Sequence, residues 1–285
     1  MKSPPTPGFI LRRTAFYVLV VGIILFTVFP FAWAFLSSIK SSAQLFATPV
    51  QYWPTEPTFE NYLKVFRNGH FQIALLNSAI VSVAVTAISL AIGSLGAFAL
   101  ARFKFRGRNA VLYMVLAMTM FPQIAVLGAL FQMINFFKLY NELPALILTY
   151  LIFTLPFTVW VLTGFLKSVP VEVEEAAYVD GATPWQVFYR IMLPLAVPGM
   201  ATTGLLAFIA AWNEFLFALS FTQTPDKRTV TYAIKAFTES TAAAYEIPWG
   251  QMMAASVLVT VPLIALALLF QRRIIAGLTA GAVKG

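Results

Sequence analysis

No cysteine occurs among the 285 residues, so disulfides and thiolate metal sites are excluded. There is one histidine, His70, beside Gly69 in a polar stretch. Zinc sites need several clustered ligands, and a lone loop histidine does not supply them. A Ser-His-Asp arrangement would have to run through His70, and no nucleophile-elbow pattern accompanies it. The sequence also lacks G-x-x-x-x-G-K-[ST] and any Gly-Lys pair, so it holds no ATP in a phosphate loop. Charge is scarce as well. Asp, Glu, Lys and Arg make up 11% of the chain, against about 25% in a soluble domain. A chain so poor in charge cannot cover a water-facing surface.

What is abundant is apolar: 60% of the residues are hydrophobic. A bilayer suits such a chain as solvent. Crossing ~30 Å of hydrocarbon takes about 20 apolar residues at a rise of ~1.5 Å each. Six stretches meet that length: Thr14–Leu36, Ile73–Ala101, Ala110–Gln132, Leu143–Leu166, Met200–Phe221 and Gln251–Phe270. Each is expected to be a helix, because a helix satisfies its backbone internally in lipid. The fold class is thus all-α, a six-span polytopic membrane protein forming one domain over residues 1–285. Pro30, Pro122, Pro156 and Pro262 fall inside spans. Each can kink its helix, and ordinary bundle packing accommodates such kinks. The first apolar run is too long for a signal-peptide core and has no clear small-residue cleavage site, so it reads as an uncleaved span.

Net charge is +8. No basic face on a soluble fold is visible, so the excess does not read as nucleic-acid binding. It reads as the Lys and Arg that gather in cytoplasmic loops. Twelve of the 19 Lys and Arg fall in the termini and the segments after spans two and four, and seven in the alternate segments. The short segment Arg102–Arg108 alone carries four. Both termini are therefore expected in the cytoplasm.

The segment 167–198 breaks that charge rule. It carries Glu172, Glu174, Glu175 and Asp180 against only Lys167 and Arg190. Pro170 sits near a helix start, and the acids that follow suit the positive end of a helix. That helix is expected to run to about Asp180, with Gly181 just past its end. Thr183 and Pro184 read as N-cap and first residue of a second helix. Pro194 and Pro198 are expected to stop it. An amphipathic helix resting on lipid is normally rich in Lys and Arg on its polar face, and this one is acidic.

The spacing Glu175-Ala176-Ala177, three residues, Gly181, nine residues, Ile191, one residue, Leu193-Pro194 resembles the EAA loop of bacterial ATP-binding-cassette importer permeases. Other segments resemble carbohydrate importer permeases, in particular the second, six-span permease of the maltose-type group. These are Leu75-Leu76-Asn77-Ser78, Leu155-Pro156-Phe157 with Trp160, Trp212-Asn213-Glu214-Phe215, and Gln271-Arg272-Arg273 with the tail from Gly277 to Gly285. Ser78 is a mild departure, many relatives having threonine there. The resemblance implies a type I permease fold in which the loop docks on an ATPase subunit through Glu175, Ala176, Ala177, Asp180, Gly181, Ile191, Leu193 and Pro194. It implies two ATPase subunits, a second homologous permease chain and an extracytoplasmic sugar-binding protein as partners. ATP and Mg belong to the partner ATPase, and this chain binds no cofactor and catalyses nothing itself.

The two long outer segments, Ser37–Gln72 and Thr222–Gly250, contain Trp53, Tyr62, Tyr245 and Trp249, which read either as a docking surface or as headgroup anchors. Asn77, Trp212, Asn213 and Glu214 are candidate pathway residues. Glu214 is an acid inside span five, where charge costs about 2.5–3.5 kcal/mol. It serves the sugar path or makes a structural hydrogen bond. Two alternatives stand beside the sugar permease: an importer permease for another solute, and a secondary carrier working alone. The latter wants an intramembrane charge relay or an internal repeat.

Overall fold

The computed structural model describes residues 7–239 and 247–280; Lys2, Tyr245 and the tail residues Gly281–Gly285 lie outside them. Helices form nearly all of the regular structure, and no strand occurs among the described residues. By contacts the chain divides into two units: Met1–Asn68 with Phe237–Thr260, and Gly69–Ala236 with Val261–Gly285.

The first unit holds α1 (Pro7–Ser38), α2 (Ser42–Leu45), α3 (Glu60–Arg67) and the first turns of α13 (Trp249–Ala280). None of the most apolar window of α1 is buried within the chain, which only a nonpolar surrounding tolerates. Beyond α1 a buried lysine organises the loop. Lys40 is 2% exposed, and its ammonium donates to the carbonyls of Gln51 and Tyr52 and lies over the Trp33 ring. A buried ammonium persists only when its donors are satisfied. Tyr62 is half-buried and bonded through its hydroxyl to Ser38, whereas Trp53 is exposed.

The second unit is built around α7 (Leu143–Ser168). Packed on it are α4 (Gly69–Arg102), α5 (Arg108–Thr119), α10 (Leu193–Trp212) and α11 (Leu216–Phe221). Also here are α6 (Gln123–Phe136), α8 (Glu172–Val179), α9 (Pro184–Val187), α12 (Val230–Ala236) and the rest of α13. Small and hydroxyl side chains bring the long helices close, as helix contacts in lipid require. A Cβ on Gly93 of α4 would stand 2.6 Å from the Thr158 methyl of α7. One helical turn from Gly93, Ser89 and Thr154 share a buried hydroxyl hydrogen bond of 2.8 Å. Two apolar cores result. One surrounds Tyr150 and Phe217, and the other surrounds Phe98, Leu166 and Phe188 near the C-terminal end of α4.

Four expected spans appear as continuous helices, and two need correction. The third is broken into α5 and α6, bent by 95° at Met120–Pro122. Pro122 offers no N–H and drives Phe121 away from helical backbone, so it ends a helix rather than kinking one. Among the described residues, five helices are then long and apolar enough to cross a membrane, six if the bent pair is one span. The fifth span begins earlier than expected, since the helical run is unbroken from Pro184 to Trp212. Pro194 and Pro198 do not stop it. A π turn at Phe188–Met192 precedes Pro194, and its register shift carries the Leu193 N–H to the Phe188 carbonyl, five residues back. The ladder is already displaced where Pro194 withholds its donor. This helix ends at Trp212, and Asn213–Phe215 separates it from α11.

Candidate functional site

The acidic loop joins α7 to α10 and folds as the sequence predicts, a short helix, a tight turn and a second helix. Helix α8 closes with two overlapping bonds: the Gly181 N–H donates to Tyr178 O at 3.0 Å and the Ala182 N–H to Ala177 O at 2.9 Å. That pattern requires a left-handed residue just past the helix, and Gly181 supplies it with φ of 82°. The next helix starts at Thr183 with a capping box. The Thr183 hydroxyl accepts from the Gln186 N–H, and the Gln186 side chain accepts from the Thr183 N–H. The Thr-x-x-Gln spacing is the sequence signal for this box.

Two faces of α8 divide the work. Glu172, Glu175, Ala176, Val179 and Asp180 fall on one stripe at helical spacing, and all are exposed, Val179 at 87%. Glu174 and Ala177 fall on the other and are buried. Ala177, Ile191 and Leu193 pack with the core around Phe188, so they root the loop; Glu175, Ala176, Asp180, Gly181 and Pro194 stay on the surface. An acid-edged strip with small and apolar residues is thus presented outward on a firmly seated base.

The seat includes a charge pair that sequence reasoning missed. Arg102, the last residue of α4, approaches Glu174 with Nε 2.7 Å from Oε1, and its Nη2 donates to Val169 O at 2.9 Å. Both side chains are nearly buried, 10% and 6% exposed. The Nε–Oε1 approach is short but off the N–H direction. Burial pushes the Glu174 carboxyl above its ordinary value, and the Arg102 guanidinium pulls it partly back. The pair therefore fixes position more than it adds stability. Next to it the Phe98 and Phe188 rings lie 5.3 Å apart, joining α4 to the π turn.

The four candidate pathway residues occupy other ground. Asn77 is buried, and its amide donates to the carbonyls of Asp226 and Arg228 at 2.8 and 3.0 Å. Neighbouring Ser78 accepts from the Val230 N–H, so both tie α4 to the start of α12. Trp212 is buried, and its Nε1 has no partner among the described residues. Asn213 is exposed and donates back to Ile209 O. Glu214 lies in the break after α10 and not within an apolar span, which corrects the sequence expectation. Its two oxygens accept from the Phe217 and Ala218 N–H groups at 2.7 and 3.1 Å, capping α11. Its own carbonyl accepts from the Thr231 hydroxyl at 2.6 Å. Glu214→Ala is expected to cost about 1–3 kcal/mol, the range for leaving buried amides unsatisfied. Thermal unfolding of the purified protein checks this.

No cluster of metal-ligating side chains occurs among the described residues. A profile of the family described as "Binding-protein-dependent transport system inner membrane component" matches residues 89–279. The chain is 39% identical over 274 residues to the trehalose transport system permease protein SugB of Mycobacterium tuberculosis, covering 96% of this chain and 98% of that one. It is 41% identical over 274 residues to the trehalose/maltose transport system permease protein MalG of Thermococcus litoralis, covering 94% and 96%. Among solved structures it shares its fold with a chain of a bacterial ABC transporter involved in the import of the acidic polysaccharide alginate. The TM-score is 0.78 at 22% identity, over 95% of this chain and 99% of that one.

Proposed function

This chain belongs to the family of binding-protein-dependent transport system inner membrane components, and we propose that it forms half of the membrane pathway of an ATP-driven sugar importer. The relatives named for trehalose and maltose, both disaccharides, support a di- or oligosaccharide as cargo. The observation that carries the mechanism is the two-faced α8, outward strip on one side and buried seat on the other.

In this reading the loop 167–198 is the coupling element. The exposed strip of Glu175, Ala176, Val179 and Asp180 enters a groove on a cytoplasmic ATPase subunit. Ala176 is small enough for close approach, and Glu175 and Asp180 meet polar or basic groups there. The buried face passes the movement on, because Ala177, Phe188 and Met192 pack directly on α4 and α7. Closure of two ATPase subunits on ATP and Mg then swings the bundle as a rigid body and turns the pathway outward. An extracytoplasmic binding protein releases its sugar into a path shared with a second permease chain. This chain binds neither ATP nor metal and performs no hydrolysis. Both of its termini lie in the cytoplasm.

A pull-down from solubilised membranes tests the reading. Wild type is expected to bring down an ATPase subunit and a second permease. A chain with Glu175→Arg and Gly181→Val is expected to keep the permease partner and lose the ATPase. Recovery of the chain alone in both cases, across several mild detergents, contradicts the proposal.

A further inference from the structure

Two hollows near the loop end of α5 have no part in the coupling strip. The first is a dish of ≈ 550 Å³ lined by residues 104–110. It carries Lys104, Arg106 and Arg108 and no acid. The side chains of Lys104 and Arg106 make no hydrogen bond or ion pair among the described residues. Arg108 is held over the dish by its bond to Ala101 O at 3.1 Å. Phe105, between Lys104 and Arg106, is 46% exposed, an aromatic side chain of the kind that sits at headgroup level.

The second hollow is a groove of ≈ 310 Å³ between α5 and α7, lined by Leu112, Trp160 and Gly164 among others and ending at Lys167. Leu112 lies one helical turn beyond Arg108 on the same face of α5. Lys167 lies one turn beyond Gly164 on α7. Its ammonium is likewise unpaired among the described residues. The groove thus begins one turn of α5 from the dish, with three cations on the dish and a fourth among the residues of the groove. A Cβ added at Gly164 meets nothing within 4 Å, so the slot is open there.

We propose that these hollows bind an anionic phospholipid, its phosphate held by Lys104, Arg106, Arg108 and Lys167 and one acyl chain lying in the groove against Leu112 and Trp160. Charge complementarity selects the anionic headgroup, since no acid lines either hollow. The slot selects a lipid over free phosphate, which would need only the dish. The proposal rests on the chain spanning a bilayer and is independent of its cargo.

The test is native mass spectrometry of the intact complex in mild detergent, titrated with phosphatidylglycerol or with phosphatidylcholine of the same chains. Wild type is expected to retain phosphatidylglycerol at least about tenfold better. Lys104→Gln, Arg106→Gln and Lys167→Gln together are expected to cut the preference steeply, by about fivefold for each cation lost. Gly164→Leu fills the slot without touching a charge and is expected to lower retention of both lipids. Inorganic phosphate is expected to displace neither. Equal retention of the two lipids by wild type overturns the proposal. So does displacement by phosphate with Gly164→Leu without effect, which marks a free-anion site. Loss of the ATPase from the charge variant with lipid retention unchanged also overturns it, and assigns the dish to a protein contact.

Discussion

Gly181→Val is expected to cut uptake more than about tenfold while leaving the chain in the membrane. Gly181 holds φ of 82°, and its N–H closes the end of α8 onto Tyr178. An L residue there costs about 1–2 kcal/mol, and a β-branched one more. Nothing stands within 4 Å of a Cβ at that position, so the penalty is backbone strain and not a clash. The turn opens, the strip of Glu175, Ala176 and Asp180 tilts, and the bundle itself is untouched. About 1.4 kcal/mol is tenfold in an equilibrium, which sets the size of the effect. Hydrolysis of ATP by the partner should continue without accumulation of sugar. Gly181→Asn is the control, because asparagine tolerates the left-handed region, and it should keep much of the uptake. Normal uptake in the valine variant would remove α8 from the coupling path.

Arg102→Met and Glu174→Met, made singly, are each expected to destabilise the protein by about 3–5 kcal/mol, since either leaves a buried charge unpaired. The double substitution should cost less than either single one. The raised carboxyl of Glu174 means the folded state disfavours its charged form, so the pair adds little net stability. The pH sign follows from the same shift. The increment from Glu174 is fully present below the ordinary carboxylate range and is lost as pH rises through the raised value. Thermal unfolding of wild type and Glu174→Gln at several pH values checks this, since the slope should be shallower in the variant. A double variant as unstable as the sum of the single ones contradicts the account.

The acidic loop 167–198 is legible because its signals are local. Pro170, Gly181, Thr183 and Pro184 act on their own backbone, so spacing alone placed both helices and the turn. Spans were legible for a related reason, length and apolarity being sums over one segment. Where the sequence reading failed, the deciding partner was elsewhere. Pro122 breaks its span and Pro156 lies within an unbroken helix, though both are prolines in apolar runs. No local pattern in the two runs separates these outcomes. Pro194 fits inside a helix because a π turn has already shifted the ladder. Arg102 read only as a topology charge and Glu174 only as a first-turn acid, and the fold of α4 beside α8 made them a pair. Glu214 read as an acid in lipid because the break at Asn213–Phe215 has no proline or glycine to announce it.

Sugar uptake into proteoliposomes holding this chain with the proposed partner permease, ATPase subunits and binding protein tests the central claim most directly. The account predicts accumulation only when ATP and the ATPase subunits are both present, with no uptake by the permease chains alone under an ion gradient. Gradient-driven accumulation without ATP or an ATPase subunit would contradict it and make the chain a carrier in its own right.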